Sequence, residues 1–165
     1  MILSLNLIMK KKLSILYQIY NCTSQEYGYA NEDGIEQLGI LIEEKQGMIS
    51  EIDYLDRKFL VEFEDLKQEL GIDSLDNIDG EGNEELTVLK LNTTEILEIL
   101  NKIDDLDKKV QTKVSKLRED LAQELTKIKK QKDVSKIYNT ENAKGAMRDL
   151  GVYDTSNKST FDKKK

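Results

Sequence analysis

A chain of 165 residues fits one domain, or one domain with a tail. It has no Pro, no Trp, no His and a single Cys, with 35% charged residues. That composition favours long helices and leaves a thin toolkit for catalysis. The net charge of −7 is unevenly spread: residues 129–165 hold ten Lys/Arg and five Asp/Glu, net +5, and the remainder fifteen and twenty-seven, net −12. An acidic body with a basic end argues against nucleic-acid binding by the body.

The start, MILSLNLIMKKK, carries its charges after its apolar stretch, the reverse of a secretory signal. Met9 offers a second start, so residues 1–8 read as an extension outside the fold. A first helix is expected from Leu3 or Met9 to about Ser24, with Leu13, Leu16 and Tyr20 on one face. Gly28 and the cluster Asn31-Glu32-Asp33-Gly34 break it. Asp33 followed by Glu36 has the spacing of a capping box for the next helix.

The second helix is the strongest signal. Written as heptads, its a positions are Ile35, Ile42, Ile49, Asp56, Phe63 and Leu70, and its d positions Leu38, Lys45, Ile52, Phe59 and Leu66. Nine of the eleven are apolar, which predicts one long amphipathic helix. A neighbouring row of Leu41, Met48 and Leu55 widens the stripe beyond a two-strand seam. Gly39 and Gly47 weaken the helix locally, by ~1 kcal/mol each relative to Ala, and Gly71 is placed to end it as a left-handed cap.

The acidic connection GIDSLDNIDGEGNEE follows, with a short turn expected at Ser74–Ile78. A third helix is expected from near Glu84 to about Lys132. In it Ile103, Leu106, Val110, Val114, Leu117, Leu121, Leu125 and Ile128 step by 3, 4, 4, 3, 4, 4 and 3, an eleven-residue repeat that keeps the packing nearly straight. From Gln131 the chain is polar, apart from Thr140, Ala143, Ala146, Met147 and Leu150 before Gly151, the pattern of one short helix capped by Thr140, either formed on docking to a partner or folded back on the bundle. The expected fold is all-α: an antiparallel bundle or coiled coil of three main helices over residues 9–132, with a flexible, basic, partly disordered tail over 133–165.

Catalytic, cofactor and metal sites are hard to build from these residues. There is no His to act as base or ligand, and Cys22 has no His to activate it. No phosphate-binding glycine motif is present. A calcium loop placing Asn77, Asp79, Glu81 and Gly82 at positions one, three, five and six fails at position twelve, where Val88 stands. Asp104, Asp105 and Asp107 precede Lys108 and Lys109, as on a charged helix face. The expectation is a non-enzymatic protein without cofactor. A lone Cys fits a reducing cytoplasm, and no apolar run reaches the ~18 residues of a membrane span. Long helices need their stripes buried. Because the third helix is longer than the second, its late half can lack a partner within the chain. Residues 110–128 therefore suit either an internal core or a partner groove.

Two segments resemble the FlgN-like family of flagellar export chaperones. One is DGIEQLGILIEEKQGMISEIDYLDRKFLVEFEDLKQELGI (Asp33–Ile72), similar to the family's Asp-Ile-Glu-x-Leu helix start, Glu-Glu-Lys-Gln and Ile-x-x-Ile-x-x-Leu-Asp, with Gly34 intervening here. The other is Ile137-Tyr138-Asn139 with the ending STFDKKK. The resemblance implies a cytoplasmic helical chaperone that holds C-terminal helices of hook–filament junction proteins and delivers them to the export gate. It implies client binding by Val110, Val114, Leu117, Leu121, Leu125 and Ile128, and gate docking by Tyr138. The octapeptide at the start and the stretch around Gly145–Gly151 depart from the family's pattern. On the same residues, the alternatives are a homo-oligomeric coiled-coil protein or another helical secretion chaperone.

Overall fold

A computed structural model describes residues 1–74 and 82–149, the last three as backbone alone. Its main elements are α1 (Ile2–Tyr29), α2 (Ile35–Leu70) and α3 (Glu84–Asp149), with a 3-10 turn at Glu32–Gly34 between the first two. The architecture is all-α, with three main helices and no strand among the described residues. The chain divides into two units, Met1–Arg118 and Glu119–Lys165.

In the first unit α1 lies antiparallel to α2 and parallel to α3. The pairs Lys12–Asp56 and Lys45–Glu26 fix the first relation. Asn6 beside Glu85 and Asn92, and Lys113 donating to the Tyr27 carbonyl, fix the second. The core takes Leu5, Ile8, Met9, Ile15, Leu16 and Ile19 from α1, Leu55 and Leu66 from α2, and Leu89, Ile96, Ile99 and Ile103 from α3. Half of these residues come from α1, so its removal from the bundle would leave the others without a common partner.

Several expectations are corrected by this packing. Residues 1–8 are not outside the fold: Leu5 is fully buried and Ile8 nearly so. Their spacing continues the Leu13–Leu16 stripe, which is why the helix starts early. At its other end α1 runs past Ser24 to Tyr29, because Thr23 and Glu26 are buried there with partners, Thr23 donating to the Ile19 carbonyl at 2.8 Å. The Asp33–Glu36 capping box does not form; Gly34 is the N-cap and no side chain caps the helix. Asp33 instead sits in the 3-10 turn that brings Gly34 against Tyr29.

Gly71 does end α2 in the left-handed conformation, φ 64° and ψ 36°, with its N–H and that of Ile72 both directed to the Lys67 carbonyl. The start of α3 has a cap the sequence reading missed: the Asn83 side-chain oxygen accepts from the N–H groups of Glu85 at 3.1 Å and Leu86 at 3.3 Å. At its far end α3 continues past Lys132 to Asp149. No Pro interrupts it and Gly145 is its only glycine, so Lys, Glu and Ala propensity carries it on. Thr140, expected to cap a new helix, donates to the Lys136 carbonyl at 2.7 Å within the same one. The turn expected at Ser74–Ile78 falls outside the described residues from position 75 on, as do Leu150, Gly151 and the ending STFDKKK. No helix among the described residues is long and apolar enough to cross a membrane.

Candidate functional site

The wide stripe of α2 is not buried evenly. Leu38, Leu41, Leu55 and Leu66 are buried, so the core lies on the d row and the neighbouring Leu41–Leu55 row. The first half of the a row is turned outward: Ile35, Ile42 and Ile49 are 47%, 50% and 36% exposed, whereas Phe63 farther along packs against the core. On α3 the corresponding flank carries Leu100, 39% exposed.

Between Ile49 and Leu100 a cleft of about 270 Å³ opens in the first unit. Its floor is Leu16 and Ile19 of α1, Ile52 of α2 and Ile103 of α3. Two ion pairs stand at its edges. One is Lys12 with Asp56 at 2.6 Å. The other is Lys45, whose ammonium donates to Asp107 at 2.8 Å and to Glu26 at 2.7 Å, tying all three helices together. Glu26 is 1% exposed, and its second carboxylate oxygen is buried without a hydrogen-bond partner. Burial works to lower the Lys45 pKa, but the hydrogen bonds to Asp107 and Glu26 outweigh it, and the ammonium titrates above its ordinary value.

Cys22 lies near this cluster. Its thiol donates to the Leu41 carbonyl at 3.2 Å. Burial, then the charge of Glu26, pushes its pKa up, against the opposing pull of Lys45. Alkylation by iodoacetamide at about pH 8, where an ordinary thiol is partly ionised, is expected to run at least ~10-fold slower than in the unfolded chain. Mass spectrometry of timed aliquots, with and without guanidinium, checks this; equal rates would mean that the α1–α2 interface opens freely.

The residues singled out from the sequence are dispersed by the structure. Val110 is buried in the first unit, where Val114 and Leu117 are half-buried. In the second unit Leu121 is half-buried, whereas Leu125, Ile128 and Tyr138 are 67%, 48% and 64% exposed. Asp107 belongs to the Lys45 cluster, and Asp104 pairs with Lys108 at 2.5 Å. Asn77, Asp79 and Glu81 lie outside the described residues. Sequence reasoning missed the buried amide contact of Asn6 with Asn92 at 3.2 Å and the bond from Tyr17 to Glu95 at 2.9 Å. The one available signal for the ion cluster was a lysine at a d position. Compared with protein-family models, curated proteins and solved structures, the chain matches none.

Proposed function

We propose that the protein is a non-enzymatic, cytoplasmic chaperone of flagellar export that captures amphipathic helices. Its clients are the C-terminal helices of hook–filament junction proteins, and it delivers them to the export gate. One observation carries the reading: Leu125 and Ile128 stand exposed on a long helix, with half-buried Leu121 one turn before them. Spacing of 4 and 3 is what a second helix needs in order to pack there. Within the stripe inferred from the family resemblance, Val110 is occupied by the core, so the client surface is centred on Leu121, Leu125 and Ile128. Exposed Tyr138 is the contact assigned to the gate. The client's identity rests on the resemblance of Asp33–Ile72 and of the C-terminal segment to FlgN-like chaperones.

Light scattering after size exclusion, alone and with a junction-protein C-terminal fragment, tests the reading. A monomer that shifts to a 1:1 complex is expected. Leu121→Asp and Leu125→Asp are expected to abolish the shift while helix content by circular dichroism is kept. The same exposed stripe also suits a second copy of the chain; a stable oligomer indifferent to the fragment would replace the chaperone reading with a structural coiled coil.

A further inference from the structure

We propose that the cleft between α2 and α3 in the first unit is a docking site for a cationic amphipathic helix, which inserts two apolar side chains one turn apart. The proposal rests on the reading of this chain as a helix binder. It depends neither on the client's identity nor on the Leu121–Ile128 surface.

Size is the first argument. The cleft's volume is about 270 Å³, whereas a dry cavity of ~150 Å³ already accepts a benzene ring. Two aliphatic side chains, or one aromatic and one small one, suit it. Its floor is wholly apolar: Leu16, Ile19, Ile52 and Ile103. The charged groups at its edges are spent on each other as Lys12–Asp56 and Lys45–Asp107. An apolar centre between satisfied ion pairs is suited to an apolar knob and poorly suited to a polar ligand.

The second argument is the line that leads into it. Ile35, Ile42 and Ile49 recur every seven residues on α2, and all three are exposed beyond the rows that form the core. A seven-residue period on a helix flank is the seam a further helix follows. The third argument is charge. Glu36 and Glu43 follow directly on Ile35 and Ile42, Asp53 lies one turn beyond Ile49, and all three are exposed. The sequence of the first unit, residues 1–118, holds fourteen Lys/Arg and twenty-four Asp/Glu, net −10. Such a surface draws in a basic partner and repels a second acidic body.

The test uses the full chain and a Leu/Lys amphipathic peptide of about 18 residues, five turns of helix, with one Trp on its apolar face. The protein has no Trp, so the emission reports the peptide alone. Saturable binding with a blue shift is expected, weakening as salt is added. Leu100→Glu is expected to weaken it at least ~10-fold, although the added carboxylate would strengthen a purely electrostatic association. Ile49→Glu serves as an independent second variant. Both sites are over a third exposed, so circular dichroism is expected to show an intact fold. The titration is repeated in Leu125→Asp, where saturable binding that Leu100→Glu still weakens is expected, and a Leu/Glu peptide with the same apolar face should not bind.

Absence of binding to the unmodified protein overturns the proposal, as does equal binding by both cleft variants. Loss on Leu125→Asp instead moves the peptide to the late part of α3; the cleft then fails while the helix-binding reading stands. Equal binding of the Leu/Glu peptide overturns the cationic occupant. A dimer in light scattering that Leu100→Glu dissociates would assign the cleft to a second copy. Failure of the chaperone reading is seen separately, in the junction-fragment experiment.

Discussion

Lys45→Met, with Glu26 left in place, is expected to destabilise the protein by about 3–5 kcal/mol. Lys45 is the hydrogen-bond partner of a carboxylate only 1% exposed, whose other oxygen is already without one. Without the ammonium, the charge on Glu26 is buried and uncompensated. The double variant Glu26→Leu, Lys45→Met should regain the whole loss, because two apolar side chains of similar length replace a pair whose attraction is largely offset by desolvation; a stability from that of the parent to ~1–4 kcal/mol above it is expected. Asp107 is left facing solvent at the edge, about a third exposed, and contributes little on its own. Guanidinium unfolding of the parent, both single variants and the double gives the coupling directly. A cost under ~1 kcal/mol for Lys45→Met would mean that water reaches Glu26 in solution.

The same cluster has a pH signature. The Lys45 pKa is raised above its ordinary 10.5 despite burial, by Asp107 and Glu26. A raised pKa means the folded state holds the proton more tightly than the unfolded chain. Its contribution is therefore complete below 10.5 and is lost as pH rises through the higher folded value. Tyr17, raised by its hydrogen bond to Glu95, acts in the same direction but sits exposed. Subtracting the double variant's alkaline profile from the parent's leaves the part due to Lys45. A flat difference would remove that part.

These predictions concern residues that sequence reading placed only in part. Three helices, the end of α2 at Gly71 and the start of α3 near Glu84 were all legible, because spacing and capping are local. Which side of a wide stripe faces inward is not local. Ile42 and Leu41 look equally apolar, and it is the position of α1 that buries Leu41 and leaves Ile42 exposed. For the same reason Val110 and Leu125 share one repeat while only the first is buried. Lys45 at a d position becomes intelligible once Glu26 and Asp107 arrive from the other two helices. The far end of α3 carries no continuous stripe beyond Ile128, only the island from Thr140 on, and so resembles a tail; propensity and the absence of Pro are the better guide there. The cleft itself, made by one residue row from each of three helices, had no sequence signature beyond the Ile35–Ile49 period.

Gly34→Ala is expected to destabilise by about 1–3 kcal/mol or more, although Gly34 needs no unusual backbone. Its φ is −99°, which any residue adopts. The constraint is proximity: a Cβ there would meet the Tyr29 carbonyl oxygen at 2.3 Å and its carbonyl carbon and Cα at 2.9 Å. These are backbone atoms, so no side chain can swing aside to make room. The turn around them is held by Asn31 N–H donating to the Tyr29 carbonyl at 2.8 Å, the Asn31 side chain to that of Gly28 at 2.9 Å, and Gly34 N–H to that of Asn31 at 3.2 Å. Making room means opening that turn and re-aiming α2 against α1, which supplies half the core. Gly47→Ala is the contrasting case. It lies in mid-helix with nothing within 4 Å of a built Cβ, so it should stabilise by roughly 0.5–1 kcal/mol through helix propensity. Opposite signs for the two changes, read as shifts of the guanidinium midpoint, are the expected result. A neutral Gly34→Ala would mean that α1 and α2 are joined less tightly than this turn requires. The shared α1 floor of the cleft would then be free to shift with it, and Leu100→Glu would lose its meaning as a probe of a preformed site.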